Sequence, residues 1–190
     1  MGADAMSRLL LNHSLVMLAA YLLAFLQAKV TFFRDLVGAQ PDLLPGLVLY
    51  VSLTGGGAQL MLVSLFGGLC LDSLSSNPLG ISVLPLFLVG FLIRHNRHLL
   101  LRESLQTQWL LGAAAHAGVP LLTLVLLWLN HRTPLVGLFT LWQWVVMTLI
   151  GTAMTPVWFQ VFDRLSGALN YQDEQSISFR PDRSIKRGRV

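Results

Sequence analysis

Two apolar runs joined by a short polar turn constrain the fold of this chain most. The first run ends near Asp72, Pro78 lies in the turn, and the second run begins at Leu79. Repeated apolar runs predict membrane-spanning helices, because a backbone in lipid has to satisfy its hydrogen bonds within each segment. Residues 67–91 are therefore predicted to form a helical hairpin inside a membrane.

The low proportion of charged residues extends this prediction to most of the chain. Charged residues make up 12% of the 190 residues and hydrophobic residues 54%, whereas a soluble domain carries about 25% charged residues. The predicted fold is an all-α bundle of six transmembrane helices in residues 1–168. Residues 169–190 form a polar, basic tail that is predicted to be disordered and cytoplasmic. The predicted spans are approximately Leu9–Ala28, Asp42–Leu53, Ala58–Leu74, Leu79–Ile93, Trp109–Leu129 and Leu138–Phe162.

The placement of basic residues predicts the orientation of these spans. With six spans and the N-terminus inside, ten basic residues fall in inner segments and three in outer segments. Cytoplasmic segments of membrane proteins carry such an excess, so both termini are predicted to be cytoplasmic. The inner residues are Arg8, Arg94, Arg97, Arg102, Arg164, Arg180, Arg183, Lys186, Arg187 and Arg189, and the outer ones are Lys29, Arg34 and Arg132.

Small and acidic residues around the hairpin are candidates for packing or binding. Gly67, Gly68, Gly80 and Gly90 offer flat surfaces on which another helix can lie closely. Two interpretations stay open: these glycines contact a partner's helix, or they pack spans three and four against each other. Asp72 is predicted to hold the turn, because its carboxylate lies near the unpaired amides that open span four. A substrate or ion site at this acid is the alternative.

Two further positions are predicted to shape the ends and bends of spans. Asp42 precedes the second span and is expected to cap its helix. That span is short, so it is tilted, buried by its neighbours or lengthened from Val37. Pro156 in span six leaves the carbonyl of Thr152 without its helical partner, and the hydroxyls of Thr152 and Thr155 are expected to compensate.

The sequence offers no convincing catalytic constellation, so a non-enzymatic protein without a cofactor is predicted. His95 and His98 have a spacing that suits metal ligands, but the neighbouring arginines repel cations, and no metal site is predicted. His116 is interpreted as a packing residue, with a proton or ligand site as the alternative. The basic tail is predicted to attract anionic lipid headgroups, and it is too short and lacks the aromatic residues for nucleic acid binding.

The order of several short motifs resembles the bacterial rod-shape-determining protein MreD family. The resemblance covers about residues 5–168, and it rests on motifs of the second, third and fourth spans and of the end of the sixth. The motifs are Pro41-Asp42-Leu43-Leu44, Gly68-x-x-x-Asp72, Pro78-Leu79-Gly80, Gly90, Thr155-Pro156 and Phe162-Asp163-Arg164-Leu165.

This resemblance implies a role in the bacterial cell-elongation machinery. It implies a multi-pass protein of the inner membrane that binds MreC, and further links to MreB and to RodA with its penicillin-binding transpeptidase. The implied fold resembles the six-helix substrate-binding subunits of energy-coupling-factor transporters. That likeness keeps open a rival function, in which the chain is the substrate-binding subunit of a vitamin-type transporter. The few candidate polar residues, Asp42, Gln59, Asp72, His116 and Gln143, favour the scaffold.

Overall fold

A computed structural model describes residues 3–29, 38–75, 78–99, 104–130 and 137–177. Within these ranges the chain forms six α-helices and one 3₁₀ turn (Arg97–Leu99), with no strand. The all-α prediction is confirmed for this part of the chain. The helices are α1 (Ala3–Lys29), α2 (Leu44–Thr54), α3 (Gly57–Leu74), α4 (Val83–His95), α5 (Leu105–Leu129) and α6 (Leu138–Ile177).

Three of the helices are long and apolar enough to cross a membrane: α3, α5 and the Leu138–Leu165 part of α6. Shorter apolar helices accompany them at His13–Lys29, Leu44–Thr54 and Val83–His95. The chain is therefore a helical membrane protein, and the count of six spans stays a prediction. Helix α2 has 11 residues, so it rises about 16 Å, against a hydrocarbon core of about 30 Å.

The short helix α2 is the centre of the bundle. Its residues from Leu44 to Ser52 are all buried, and it contacts α1, α3, α4 and α5. Of the three explanations for its shortness, burial by neighbours is the one that this packing supports. A helix surrounded by protein can be shorter than the hydrocarbon core of the bilayer, because its ends meet polar groups of the chain rather than lipid.

Polar contacts close the C-terminal end of α2. The Gly55 amide donates to the carbonyl of Val51 over 2.8 Å, and Arg94 Nη1 of α4 donates to the Gly55 carbonyl. A cation at this position complements the negative end of the helix dipole. Arg94 therefore fixes the end of α4 to the end of the buried helix.

The hairpin turn is longer than the sequence predicted, and α4 begins at Val83 rather than Leu79. The Ile81 amide donates to the Pro78 carbonyl over 3.3 Å, and Gly80 has a φ of 90°. A β-turn with a glycine of positive φ at its third position cannot be a helical turn. Pro85 consequently falls in the first turn of α4, where a missing N–H removes no helical hydrogen bond.

Helix α6 extends to Ile177, and the disorder predicted for residues 169–190 stays a prediction. Residues 168–177 contain neither proline nor glycine, so no residue there breaks the helix. Residues 178–190 lie outside the described ranges.

By internal contacts the chain forms two compact units, Met1–Trp158 and Phe159–Val190. The helical core and the two cavities described below belong to the first unit.

Candidate functional site

A cavity of about 320 Å³ lies where the ends of α1, α3 and α5 meet the beginning of α6. Its volume is in the range of small-molecule sites. Its floor and walls include apolar side chains of α5, but eight polar or amphipathic residues from six parts of the chain also line it. These are Gln27, Asp42, Ser75, Ser82, Thr123, Thr140, Gln143 and Trp144.

Asp42 and Gln27 form the polar corner of this cavity. Asp42 Oδ1 accepts a hydrogen bond from the Leu44 amide over 3.1 Å, and the Gln27 side chain donates to the same carboxylate. Gln27 Oε1 accepts from the Leu43 amide over 3.3 Å. Together the two side chains satisfy the amides that open α2. Asp42 lies one residue before the N-cap position, which Leu43 occupies.

The side-chain donors on the α5 and α6 walls are directed at backbone carbonyls. Gln143 Nε2 donates to the Gly38 carbonyl over 2.9 Å, and Thr123 Oγ1 donates to the Val119 carbonyl over 2.9 Å. Trp144 Nε1 donates to the carbonyl of Ala117 over 3.2 Å. These contacts leave an oxygen acceptor on Thr123 and on Gln143, and Gln143 Nε2 keeps a second N–H.

Trp144 lies inside the bundle, unlike three other tryptophans of the chain. Its ring is only partly exposed and its indole N–H is bonded within the bundle. Trp109, Trp128 and Trp142 have the exposure that an interfacial anchor requires, and all three lie near helix ends. The difference arises because Trp144 lies on the face of α6 that packs against α5.

His116 packs in the middle of the bundle, beside the start of α2. Its Nδ1 lies 2.9 Å from the Gly112 carbonyl, and its ring also lies beside the backbone carbonyl of Asp42. A Cβ on Gly151 of α6 would lie 2.6 Å from His116 Cγ. The imidazole thus fills a gap that only a glycine leaves open, which supports its interpretation as a packing residue.

Asp72 ties the end of α3 to the hairpin turn. Its Oδ2 accepts hydrogen bonds from the Gly80 amide over 2.7 Å and from the Ser82 amide over 3.2 Å. These amides belong to the turn and to the N-cap of α4, not to the first turn of the helix as the sequence suggested. The side chain is buried, and among the described residues Oδ1 has no hydrogen-bond partner.

Three of the four candidate glycines face helices of their own chain. A Cβ on Gly67 would lie 3.2 Å from Leu44 Cδ2, one on Gly68 would lie 2.7 Å from Val83 Cα, and one on Gly90 would lie 2.6 Å from Leu60 Cδ1. Helices of this chain therefore already lie on those flat surfaces. Gly80 has open space around it and serves the turn instead.

The structure brings together two of the polar residues that the sequence singled out, Asp42 and Gln143, in one cavity. Gln59 lies elsewhere, against Gly55 at the end of α2. Gln27 and Thr123 were not among the candidate residues predicted from the sequence. An amide in the last turn of the first span, which from Leu15 onward is otherwise apolar apart from Tyr21, could have signalled Gln27, whereas a threonine in an apolar helix carries no such signal.

Two other predictions concern Pro156 and the histidine pair. Helix α6 continues past Pro156, and the hydroxyls of Thr152 and Thr155 donate to Thr148 and Gly151 carbonyls rather than to the carbonyl that the proline frees. Each hydroxyl is therefore bonded within its own helix.

His95 and His98 are exposed, and no group of three metal-ligating side chains occurs in the described ranges.

A second, apolar cavity of about 240 Å³ lies between the end of α1, the segment before α2 and the middle of α6. It is lined by Leu26, Pro41, Leu43, Met154 and Val157, among others. Val157 is 50% exposed and Leu26 is 46% exposed. The cavity is thus accessible from the apolar outside of the bundle.

A family model described as rod shape-determining protein MreD matches residues 7–165. No curated protein and no solved structure matches the chain significantly.

Proposed function

Because that match covers most of its length, the chain belongs to the rod shape-determining protein MreD family, and we propose that it is a non-enzymatic scaffold of the bacterial cell-elongation machinery. As a member of this family it is a membrane protein with a role in cell shape. The proposal adds that it acts in the inner membrane by binding MreC, and through it supports lateral-wall peptidoglycan synthesis. The family match is the observation that carries this proposal.

The proposed topology has six spans with both termini in the cytoplasm. Its support is the ratio of ten basic residues inside to three outside. Single cysteines at positions 77, 97 and 132, placed in a Cys70→Ala background, test it by labelling from the periplasm. The proposal expects labelling at positions 77 and 132 and none at 97. Labelling at position 97 without labelling at 77 would contradict it.

The apolar cavity is the proposed contact point for MreC. A partner's membrane helix needs an apolar recess into which a large side chain can insert, because two lipid-exposed surfaces gain little from simple contact. Leu26, Met154 and Val157 line a recess of that character. An acyl chain of a lipid is the competing occupant.

Co-purification of tagged MreC distinguishes these occupants. Val157→Trp fills the mouth of the cavity and is expected to reduce MreC recovery severalfold at unchanged protein level. Leu149→Trp is the matched control, because Leu149 lies on the same helix and is 65% exposed, but does not line the cavity. Equal MreC recovery with both variants would assign the cavity to lipid.

Contacts with MreB and with RodA and its penicillin-binding transpeptidase are proposed as indirect links through MreC. Native-membrane pull-down of the wild-type chain and of Val157→Trp tests this order. Loss of all of these partners together with MreC is the expected result. Recovery of RodA by a variant that has lost MreC would show a direct contact. The basic tail is proposed to bind anionic lipid headgroups.

The rival function is that of a substrate-binding subunit, and the polar cavity is the observation that favours it. A vitamin-sized molecule needs an enclosed site with a few placed polar groups, and Asp42, Gln27 and Gln143 provide such groups. A thermal-shift screen of vitamins on the purified chain separates the two functions. Tight, saturable stabilisation by a vitamin would favour the transporter subunit over the scaffold.

A further inference from the structure

We propose that the polar cavity is a binding site for a small organic ammonium compound. The proposal rests on the cavity, the carboxylate in its wall and the direction of the surrounding hydrogen bonds. It goes beyond the scaffold function and does not depend on it, since it concerns the chain alone.

The carboxylate of Asp42 is the charged group of the cavity. Asp42 is partly accessible although it lies at the start of the buried helix α2, because one side of it faces the cavity. Its hydrogen-bond partners, the Leu44 amide and the Gln27 amide, are both neutral. No lysine or arginine lines the cavity in the described part of the chain. A carboxylate in such surroundings gains strongly from a cation that also donates hydrogen bonds.

The remaining polar groups select for a ligand with donors. Thr123, Gln143 and Trp144 each direct a donor to a backbone carbonyl. Thr123 and Gln143 each still offer an oxygen acceptor to the cavity, and Gln143 Nε2 also keeps a second N–H. A ligand rich in acceptors, such as a carboxylate or phosphate, would leave these oxygens without partners and would repel Asp42. A primary ammonium carries three donors and one positive charge, and it matches both features.

The size of the cavity and its apolar walls determine the length and the polarity of the ligand beyond its ammonium group. About 320 Å³ accommodates a short carbon chain beside the ammonium group. Leu71, Leu124 and Met147 provide apolar walls for that chain. The ligand class is therefore an aliphatic amine or diamine, with one ammonium at Asp42, its chain along α5 and, in a diamine, the second ammonium at the open mouth of the cavity.

Three probes of equal chain length test the proposal on the purified full-length chain in lipid nanodiscs. They are 1,4-diaminobutane, 1,4-butanediol and succinate, which differ in having ammonium, hydroxyl and carboxylate ends. Calorimetric titration and thermal melting are expected to show saturable binding of the diamine alone. Equal stabilisation by the diol, or binding of succinate, would overturn the proposal.

Two variants locate the site. Asp42→Asn keeps the acceptor for the Leu44 amide but removes the charge, and it is expected to weaken diamine binding by about ten- to a hundredfold, as loss of a charge-assisted hydrogen bond does. Asp163→Asn, an exposed acid outside the cavity, is the control and should bind normally. Undiminished binding by a folded Asp42→Asn chain would overturn the proposal.

Thr123→Val keeps the proposal testable where Asp42→Asn fails to fold. It removes one acceptor from the cavity wall at constant shape, and a severalfold weaker diamine affinity is expected. Thr148→Val is its matched control, because Thr148 makes the same kind of bond to a carbonyl of its own helix and does not line the cavity. Equal affinities of the two threonine variants would overturn the placement of the site. Absence of diamine binding to the wild-type chain would overturn the proposal.

Discussion

The Asp72 carboxylate accepts a hydrogen bond from the Gly80 amide over 2.7 Å, across the turn that joins α3 to α4. The same oxygen accepts from the Ser82 amide. A hydrogen bond that involves a charged group contributes about 1.5–3 kcal/mol, so this acid is a main determinant of the hairpin. The turn places α4 against α2 and α3, with which α4 packs.

Replacing Asp72 separates hydrogen bonding from charge. Asp72→Asn retains an oxygen for the two amides and is expected to lower the melting temperature modestly while preserving rod-shape function. Asp72→Leu leaves the half-buried Gly80 amide and the buried Ser82 amide unpaired, at a cost of about 1–3 kcal/mol for a buried group, and should lose both folding and function. Melting curves and cell-shape complementation are the measurements. Loss of function by Asp72→Asn at an unchanged melting temperature would instead show that the charge itself is needed.

Gly68 tests whether the candidate glycines serve packing or partner binding. A Cβ at this position would lie 2.7 Å from the Val83 backbone, which cannot move as a side-chain tip can. Gly68→Ala is therefore expected to destabilise the chain by about 1–3 kcal/mol, with MreC binding lost only in proportion to folded protein. Melting and co-purification from the same preparation measure this. A stable Gly68→Ala chain that has lost MreC would favour an interface instead.

The glycine beside His116 is expected to be equally intolerant of a side chain. A Cβ on Gly151 would lie 2.6 Å from His116 Cγ, so Gly151→Ala should displace the ring and cost about 1–3 kcal/mol or more. Gly118→Ala is the matched control in α5, because its Cβ would meet only Val89 Cγ2 at an ordinary 3.5 Å. That control should be neutral or stabilising by up to about 1 kcal/mol, the helix propensity difference between the two residues. Similar melting temperatures of the two variants would contradict this account of His116.

The sequence predicted the helical class and the position of most helices, because apolar runs in lipid leave few alternatives. It could not predict where α4 begins, since Leu79 to Ser82 are apolar or small enough to fit a helix, and only the φ of Gly80 and the Asp72 contacts show otherwise. From the sequence, burial was one of three explanations for the short length of α2, because the length of a helix does not reveal its neighbours.

The polar cavity was even less accessible to sequence analysis. Asp42 and Gln143 were singled out as polar residues in apolar surroundings, but they are about a hundred positions apart in the chain. Only the packing of α6 against the segment before α2 brings them together, as the Gln143 bond to the Gly38 carbonyl shows. Gln27 and Thr123 complete the cavity from two further helices, and pairings of that kind cannot be derived from periodicity.

Gly80 and Gly56 form a matched pair for testing the turn. Both glycines have no atom within 4 Å of a potential Cβ, so an added methyl group clashes with nothing at either position. They differ in backbone conformation, because Gly80 has a φ of 90° and Gly56 has a φ of −82°. Gly80→Ala should therefore cost about 1–2 kcal/mol through strain alone. Gly56→Ala should be neutral or stabilising by about 0.4–1 kcal/mol, because it restricts the unfolded chain.

Thermal melting of the two variants side by side measures the difference. The melting temperature of Gly80→Asn is expected to lie between those of Gly80→Ala and the wild-type chain, since asparagine tolerates positive φ better than alanine. If Gly80→Ala melted at the wild-type temperature, the turn would be able to relax, and the Asp72 hydrogen bonds would not depend on this conformation.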